Sequence, residues 1–86
     1  MTVSAQISLY PLRQERLGPA IETLRLALER EGLVPEVGPM STVVSGETER
    51  VFAALQKGFE EAAARGAVAL VVTLSNACPV DARVRS

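Results

Sequence analysis

Polar side chains able to bind a small molecule are concentrated in three short segments of the 86-residue chain. These side chains are Ser8 and Tyr10, then Ser41 and Thr42, then Ser75, Asn76 and Cys78. Hydroxyl and amide groups donate and accept hydrogen bonds without carrying charge, and an aromatic ring stacks on a flat ligand. Together they are typical of an uncharged ligand site, in which a few polar groups are placed against an apolar wall.

Each segment also has a structural interpretation. Tyr10 could be a core ring with its hydroxyl at the rim. Ser41 and Thr42 follow a Gly-Pro turn signal, and Asn76 is a residue type that forms Asx turns. These alternatives stay open from the sequence alone.

Catalysis is poorly supported by the composition. The chain has no histidine and one cysteine, Cys78, with no evident His or Lys neighbour to lower the pKa of its thiol. Paired Cys or His ligands for a metal are also absent from the sequence. We therefore predict a protein that is not an enzyme and has no metal site. An enzyme using Cys78 or Arg13 is one alternative.

Charge and hydropathy narrow the class of protein further. A formal charge of −1 gives no basic cluster for nucleic acid, and no apolar run reaches the ~18 residues of a membrane span. The first residues lack the basic region of a signal peptide. We predict a cytoplasmic protein with no nucleic-acid partner and no membrane insertion.

Periodicity predicts six elements. Val3, Ala5, Ile7 and Leu9 alternate with polar residues, which indicates a strand with one face on a core. The predicted order is a strand over 1–12, a helix over 16–30, strands over 33–37 and 40–45, a helix over 48–65 and a strand over 67–75. The predicted helical stripes are Leu17, Ile21, Leu24 and Leu28, then Phe52, Leu55, Phe59 and Ala62.

The order βαββαβ predicts an α+β fold of the ferredoxin-like type. Its sheet is antiparallel and four-stranded, with two helices on one face. Residues 1–80 would form this single domain, and 81–86 a short tail within a terminal loop.

The other face of the sheet is predicted to be nearly free of charge. It would carry Ser4, Gln6, Ser8 and Tyr10 beside Ala69, Val71, Thr73 and Ser75. The first, third and fourth predicted strands contain no charged residue, and the apolar run 69–74 suggests that the last strand is covered on both faces. Packing against a second copy would cover this face; an ordinary wet face is the alternative.

The three segments resemble those of the YkoF-like proteins. The matching motifs are Ser8-Leu9-Tyr10-Pro11, then Ser41-Thr42-Val43-Val44 with Gly46 and Val51-Phe52, then Ser75-Asn76-Ala77-Cys78-Pro79. They occur in this order over about residues 3–81. The chain is also similar to the related single-domain thiamine-binding family, whose members assemble through their sheets.

The resemblance implies non-catalytic binding of thiamine or its hydroxymethylpyrimidine part, as a carrier, sensor or salvage accessory in vitamin metabolism. It implies a homodimer or homotetramer and no cofactor besides the ligand. The expected contacts are Tyr10, Ser41, Thr42, Ser75 and Asn76, with Ser8 and Cys78 next. For the thiazolium charge of thiamine, Glu36 and Asp81 are the candidate partners; the alternative is that the charge stays in solvent. A regulatory or oligomerisation module that binds another small metabolite is the remaining alternative.

Overall fold

A computed structural model describes residues 1–13, 18–39 and 41–77. Their helices and strands follow the predicted order. They are β1 (Thr2–Pro11), α1 (Gly18–Arg30), β2 (Glu36–Val37), β3 (Thr42–Glu47), α2 (Thr48–Ala63) and β4 (Val68–Ser75). The boundary predicted between a domain at 1–80 and a tail at 81–86 lies outside the described residues.

The four strands form one antiparallel sheet in the order β2-β3-β1-β4. β1 is central and pairs with both β3 and β4, so β4 is at one edge of the sheet that the described residues form. Both helices pack on the face of the sheet that carries Val3, Ala5 and Ile7. The predicted ferredoxin-like fold is confirmed.

Helix α1 ends as its sequence predicts. Gly32 has φ of 81°, the left-handed conformation that glycine adopts without strain. The backbone N–H of Gly32 donates to the carbonyl of Glu29, and that of Leu33 to the carbonyl of Leu28, so carbonyls of the last turn are satisfied. This turn carries the chain back toward the sheet.

The apolar face of α2 differs from the predicted stripe. Leu55 and Ala62 are buried as expected, but Phe52 and Phe59 are 53% and 40% exposed. The helix instead buries a narrower face, formed by Val51, Ala54, Leu55, Gly58 and Ala62. A face of small residues lets α2 approach α1 closely. A Cβ at Gly58 would lie only 2.9 Å from Cδ1 of Leu24.

The α1 stripe is partly as predicted. Leu24 and Leu28 are fully buried, and Ile21 is half-buried. Leu17 lies outside the described residues. Leu24 and Leu28 pack in one hydrophobic core with residues of β1, β3 and α2. The other main members of this core are Val3, Ala5, Ile7, Leu33, Val44, Val51 and Ala54.

The strand boundaries also differ. β2 has only two residues, and β3 begins at Thr42 and continues through Glu47. The third strand therefore does carry a charge, contrary to the prediction, because Glu47 pairs with Thr2 before α2 begins. The strand ladder continues past Gly46, which had been expected to end it.

The register of the sheet confirms which residues β1 and β4 bring to its second face. Directly opposite residues in an antiparallel pair share a face. Gln6 lies opposite Thr73, and Ser8 lies opposite Val71. We call this surface the open face; β1 and β4 contribute to it Ser4, Gln6, Ser8, Tyr10, Ala69, Val71, Thr73 and Ser75. By the same register β2 and β3 each add one carboxylate to this face, Glu36 and Glu47.

Candidate functional site

A cavity lies between α1 and the end of the sheet formed by β1 and β3. The β1–β3 ladder stops at the pair of Ile7 and Thr42, whereas β1 continues to Pro11 alongside β4. On the other side, Gly38 donates its backbone N–H to the carbonyl of Ser41 at 2.8 Å, which turns the β2–β3 connection. The space left beside β1 is the α1 cavity.

The α1 cavity has a volume of about 130 Å³ and a mostly apolar wall. Its lining residues come from β1, α1, β2 and the β2–β3 connection: Ile7, Leu9, Tyr10, Ile21, Leu24, Val37, Gly38, Pro39, Ser41 and Thr42. None of these described lining residues carries a formal charge at neutral pH. The cavity is therefore suited to a small uncharged ring.

Three of the residues predicted as contacts lie together here. Thr42 is 4% exposed and belongs to the helix-facing side of the sheet, opposite Ile7. Tyr10 is 48% exposed and lines the cavity from the end of β1. Ser41 is half-buried at the turn. All three residues border one cavity, but the register assigns Tyr10 to the open face, so a ring inside would meet two hydroxyls and an apolar wall.

Ser75 and Asn76 lie at the opposite end of the sheet. Ser75 pairs with Ser4, six residues before Tyr10 on β1, which corresponds to about 20 Å along a strand. Ser75 Oγ accepts a hydrogen bond of 3.0 Å from the N–H of Ala77, so the local turn uses Ser75. One single-ring ligand cannot contact both groups within one subunit.

Of the remaining predicted residues, some lie on the open-face side of the sheet and the others lie outside the described residues. Ser8 lies on the open face, opposite Val71. Cys78 and Asp81 are outside the described residues. Glu36 lies opposite Val43 on β2, and the register puts both on the open-face side, away from the α1 cavity. Glu36 is therefore poorly placed to meet a cation bound in the cavity.

Several lining residues were not predicted as site residues. Leu9, Val37 and Pro39 have no polar group that marks them in a sequence. For Ile21 the sequence offers a weak indication. Ile21 lies on the predicted apolar stripe of α1, about one turn before the fully buried Leu24 and Leu28. These residues form the wall of the α1 cavity because the β1–β3 ladder stops at Ile7 and Thr42 and leaves space beside β1.

No metal centre is evident in the described part of the chain. Residues 1–13, 18–39 and 41–77 contain no group of three or more His, Cys, Asp and Glu side chains arranged to hold an ion. Neither α1 nor α2 combines the length and hydropathy required to cross a bilayer.

The sequence pattern that defines the YKOF-related family matches residues 2–81. The chain belongs to the YKOF-related family. This confirms the resemblance found in its three motifs. No curated protein matches the chain.

Solved structures share the fold over nearly the whole chain. A Thermotoga maritima protein, assigned provisionally to thiamine biosynthesis or salvage, is 20% identical; the match covers 99% of this chain and 97% of that one, with a TM-score of 0.83. A Streptococcus pneumoniae protein is 21% identical over 100% of both chains, with a TM-score of 0.82. A Bacillus cereus domain of unknown function is 18% identical over 98% of this chain and 88% of its own, with a TM-score of 0.79.

Proposed function

We propose that the chain binds the hydroxymethylpyrimidine ring, free or as part of thiamine, in the α1 cavity and does not transform it. The observation that carries this proposal is the meeting of Tyr10, Ser41 and Thr42 around one small apolar cavity. Membership of the YKOF-related family and the thiamine-related assignment of the Thermotoga maritima protein favour the same ligand class.

The size of the cavity favours one ring over two. An apolar cavity of ~150 Å³ in a protein holds benzene, and drug-sized ligands occupy sites of ~300–1,000 Å³. The α1 cavity, at about 130 Å³, therefore matches a single six-membered ring. When thiamine binds, its pyrimidine would enter the cavity and its thiazolium would stay outside, where water solvates the positive charge.

The polar groups match an aminopyrimidine. This ring has an amino donor and ring-nitrogen acceptors, and hydroxyls can serve both types because each donates and accepts. Ser41 and Thr42 supply such hydroxyls without adding charge to a site of low polarity.

A binding role without catalysis is consistent with the described lining. General acid–base catalysis needs a group whose pKa lies near the working pH. The described lining contains no His, Asp, Glu, Lys or Cys, the residue types that most often fill this role. We accordingly propose a carrier, sensor or salvage accessory that acts in the cytoplasm.

The assembly belongs to the same proposal. On the open face, β1 and β4 both carry side chains with hydroxyl groups, and the side chain of Val71 is 55% exposed. Two copies packed through this face would cover it, and β1 and β4 bring no charged residue to it. A homodimer formed in this way, or a tetramer built from such dimers, is the assembly that we propose.

Calorimetric titration of the protein with hydroxymethylpyrimidine tests the ligand. We expect Ser41→Ala to weaken binding about fivefold to tenfold, because one hydrogen bond contributes about 1 kcal/mol. Thiamine should bind through the same residue and show a similar loss.

Ser45→Ala is the matched control for that experiment. Ser45 is also in the 41–47 region, but it pairs with Ser4 on the open-face side, away from the α1 cavity. Equal losses of affinity in the two variants, or no binding by the unmodified protein, would contradict the proposed site. Binding of another small metabolite but of neither pyrimidine ligand would favour the general metabolite-binding module.

A further inference from the structure

The backbone of Leu9 lies where β1 loses its neighbouring strand on one side. Within the described residues the β1–β3 ladder ends at the pair of Ile7 and Thr42, whereas the β1–β4 ladder continues to Pro11. Leu9 and Tyr10 both line the α1 cavity, although successive residues of a strand point to opposite faces. The cavity therefore reaches the edge of β1 itself, where the strand presents its backbone groups.

Two hydrogen bonds at the ends of the ladders show which way the Leu9 backbone points. Along an antiparallel pair, opposite residues alternately exchange hydrogen bonds and make none. On the β4 side, the N–H of Leu12 donates to the carbonyl of Ala67 at 2.8 Å, which assigns the even-numbered residues of β1 to β4. On the β3 side, the N–H of Thr48 donates to the carbonyl of Met1 at 2.9 Å, which assigns the odd-numbered residues to β3. The N–H and the carbonyl of Leu9 therefore both point toward the β3 side, where the α1 cavity lies.

The structure on the other side of this gap is a turn. The N–H of Gly38 donates to the carbonyl of Ser41, so this carbonyl points to the β2 side and away from β1. β3 begins only at the next residue, Thr42. Within the described part of the chain, the backbone of Leu9 therefore has no partner on this side, and its N–H and carbonyl face the cavity.

The N–H and carbonyl of Leu9 complement one edge of an aminopyrimidine. In an extended strand, the N–H and the carbonyl of one residue point the same way and lie side by side. Hydroxymethylpyrimidine has an amino donor next to a ring-nitrogen acceptor, so one edge of its ring offers the matching pair. A backbone donor or acceptor left unpaired beside an apolar wall is unfavourable, and a ligand that satisfies both groups removes that cost.

We propose that the backbone N–H and carbonyl of Leu9 bind the amino-bearing edge of the pyrimidine and determine which rings the α1 cavity accepts. This inference rests on the proposed function and adds its donor and acceptor pattern. The N–H donates to the ring nitrogen, and the carbonyl accepts from the amino group. A site built to hydrogen-bond both groups rejects a ring that lacks one of them, because the backbone partner is then left unpaired.

Amide hydrogen exchange, followed by NMR on the full chain without ligand, tests the orientation of the Leu9 backbone. We expect the Leu9 amide to exchange about tenfold or more faster than those of Ile7 and Tyr10, which are bonded to β3 and β4. On saturation with hydroxymethylpyrimidine, the Leu9 amide proton should move downfield by more than those of Ile7 and Tyr10. A Leu9 amide that is as slow as its two neighbours in the free protein would overturn the proposal.

A ligand analogue tests the carbonyl of Leu9. A methyl group in place of the amino group keeps the shape of the pyrimidine and removes its donor. We expect calorimetry to give an affinity about fivefold to tenfold lower, and the carbonyl carbon signal of Leu9 should no longer respond to the ligand. The matched control is the analogue whose hydroxymethyl group is replaced by methyl. It keeps the amino-bearing edge and should shift both the amide and the carbonyl signals of Leu9.

The outcomes separate this inference from the proposed function. Binding of hydroxymethylpyrimidine with unchanged Leu9 signals would overturn the role of Leu9 and leave the proposed function standing. Equal affinities for hydroxymethylpyrimidine and the analogue without the amino group would also count against Leu9 alone. No binding at millimolar hydroxymethylpyrimidine would overturn both.

Discussion

Glu47 holds the first residues of the chain against the start of α2. Its carboxylate accepts hydrogen bonds from the amino group of Met1 and from Thr2 Oγ1, each at 3.0 Å. The N–H and hydroxyl of Thr48 both donate to the carbonyl of Met1, at 2.9 and 2.8 Å. The ammonium group of Met1, and after it the hydroxyl of Thr2, lower the pKa of Glu47 below the ordinary value of 4.5.

This lowered pKa makes the contribution of Glu47 dependent on pH. A carboxylate with a depressed pKa in the folded state stabilises that state above its unfolded pKa, and the contribution is lost as the pH falls through the folded pKa. We predict that Glu47→Gln lowers the free energy of unfolding at pH 7 and that this difference disappears well below pH 4.5. Urea unfolding at several pH values measures it, on protein whose mass shows that Met1 is present.

Glu49→Gln is the control for the Glu47 variant. Glu49 lies in the same first turn of α2, so it experiences a similar helix dipole, but it makes none of the contacts to Met1 or Thr2. A Glu47 effect of equal size at pH 7 and pH 3 would show that the charge of the carboxylate does not matter.

At the scale of elements, the fit between α1 and α2 depends on small residues. Gly58 lies against the buried Leu24, and a Cβ there would also be 3.5 Å from the Cβ of Ala27. This close contact lets both helices pack side by side on the same face of the sheet. The close approach leaves Phe52 and Phe59 on the margins of α2, where they do not fill the space between the helices.

Gly58→Leu should disrupt this fit. The added side chain has no space between the helices, and overpacking of a core costs about 1–3 kcal/mol. We expect the midpoint of thermal unfolding to fall by about 10 °C, measured by circular dichroism. Ala63→Leu introduces the same side chain on the exposed side of α2 and should change the midpoint by only a few degrees. Equal midpoints for the two variants would contradict this packing.

The sequence predicts the element order and fold well, because the alternation in β1 and the Gly32 stop of α1 are local signals. It predicts the buried face of α2 poorly. By hydropathy Phe52 is a better core candidate than Ala54 or Gly58, but the close approach of α1 leaves room only for the smaller side chains. The candidate site, too, could be predicted only in part. Residue type was enough to identify Tyr10 and Thr42, but their separation from Ser75 depends on the register of the sheet.

Among the three longer strands, β4 is the one that the described chain covers least. Its apolar run predicted cover on both faces, yet Val71 and Leu74 are 55% and 39% exposed. The proposed second copy would cover Val71 on the open face.

A charge introduced on the open face tests the assembly. Val71 lies opposite Ser8, so Val71→Lys would place two ammonium groups in the interface of a symmetric dimer. We predict that light scattering coupled to gel filtration gives an oligomer for the unmodified protein and a monomer for this variant. Val34→Lys, at a valine that is 81% exposed outside the strands, should leave the oligomer intact. A monomeric unmodified protein would rule out the assembly.

Methyl NMR during a titration with hydroxymethylpyrimidine is the sharpest test of whether a pyrimidine ring binds in the α1 cavity. If it does, the methyl signals of Leu9, Ile21 and Thr42 shift together and saturate, while those of Leu74 stay in place. Shifts centred on Leu74, or no shift at millimolar ligand, would contradict it.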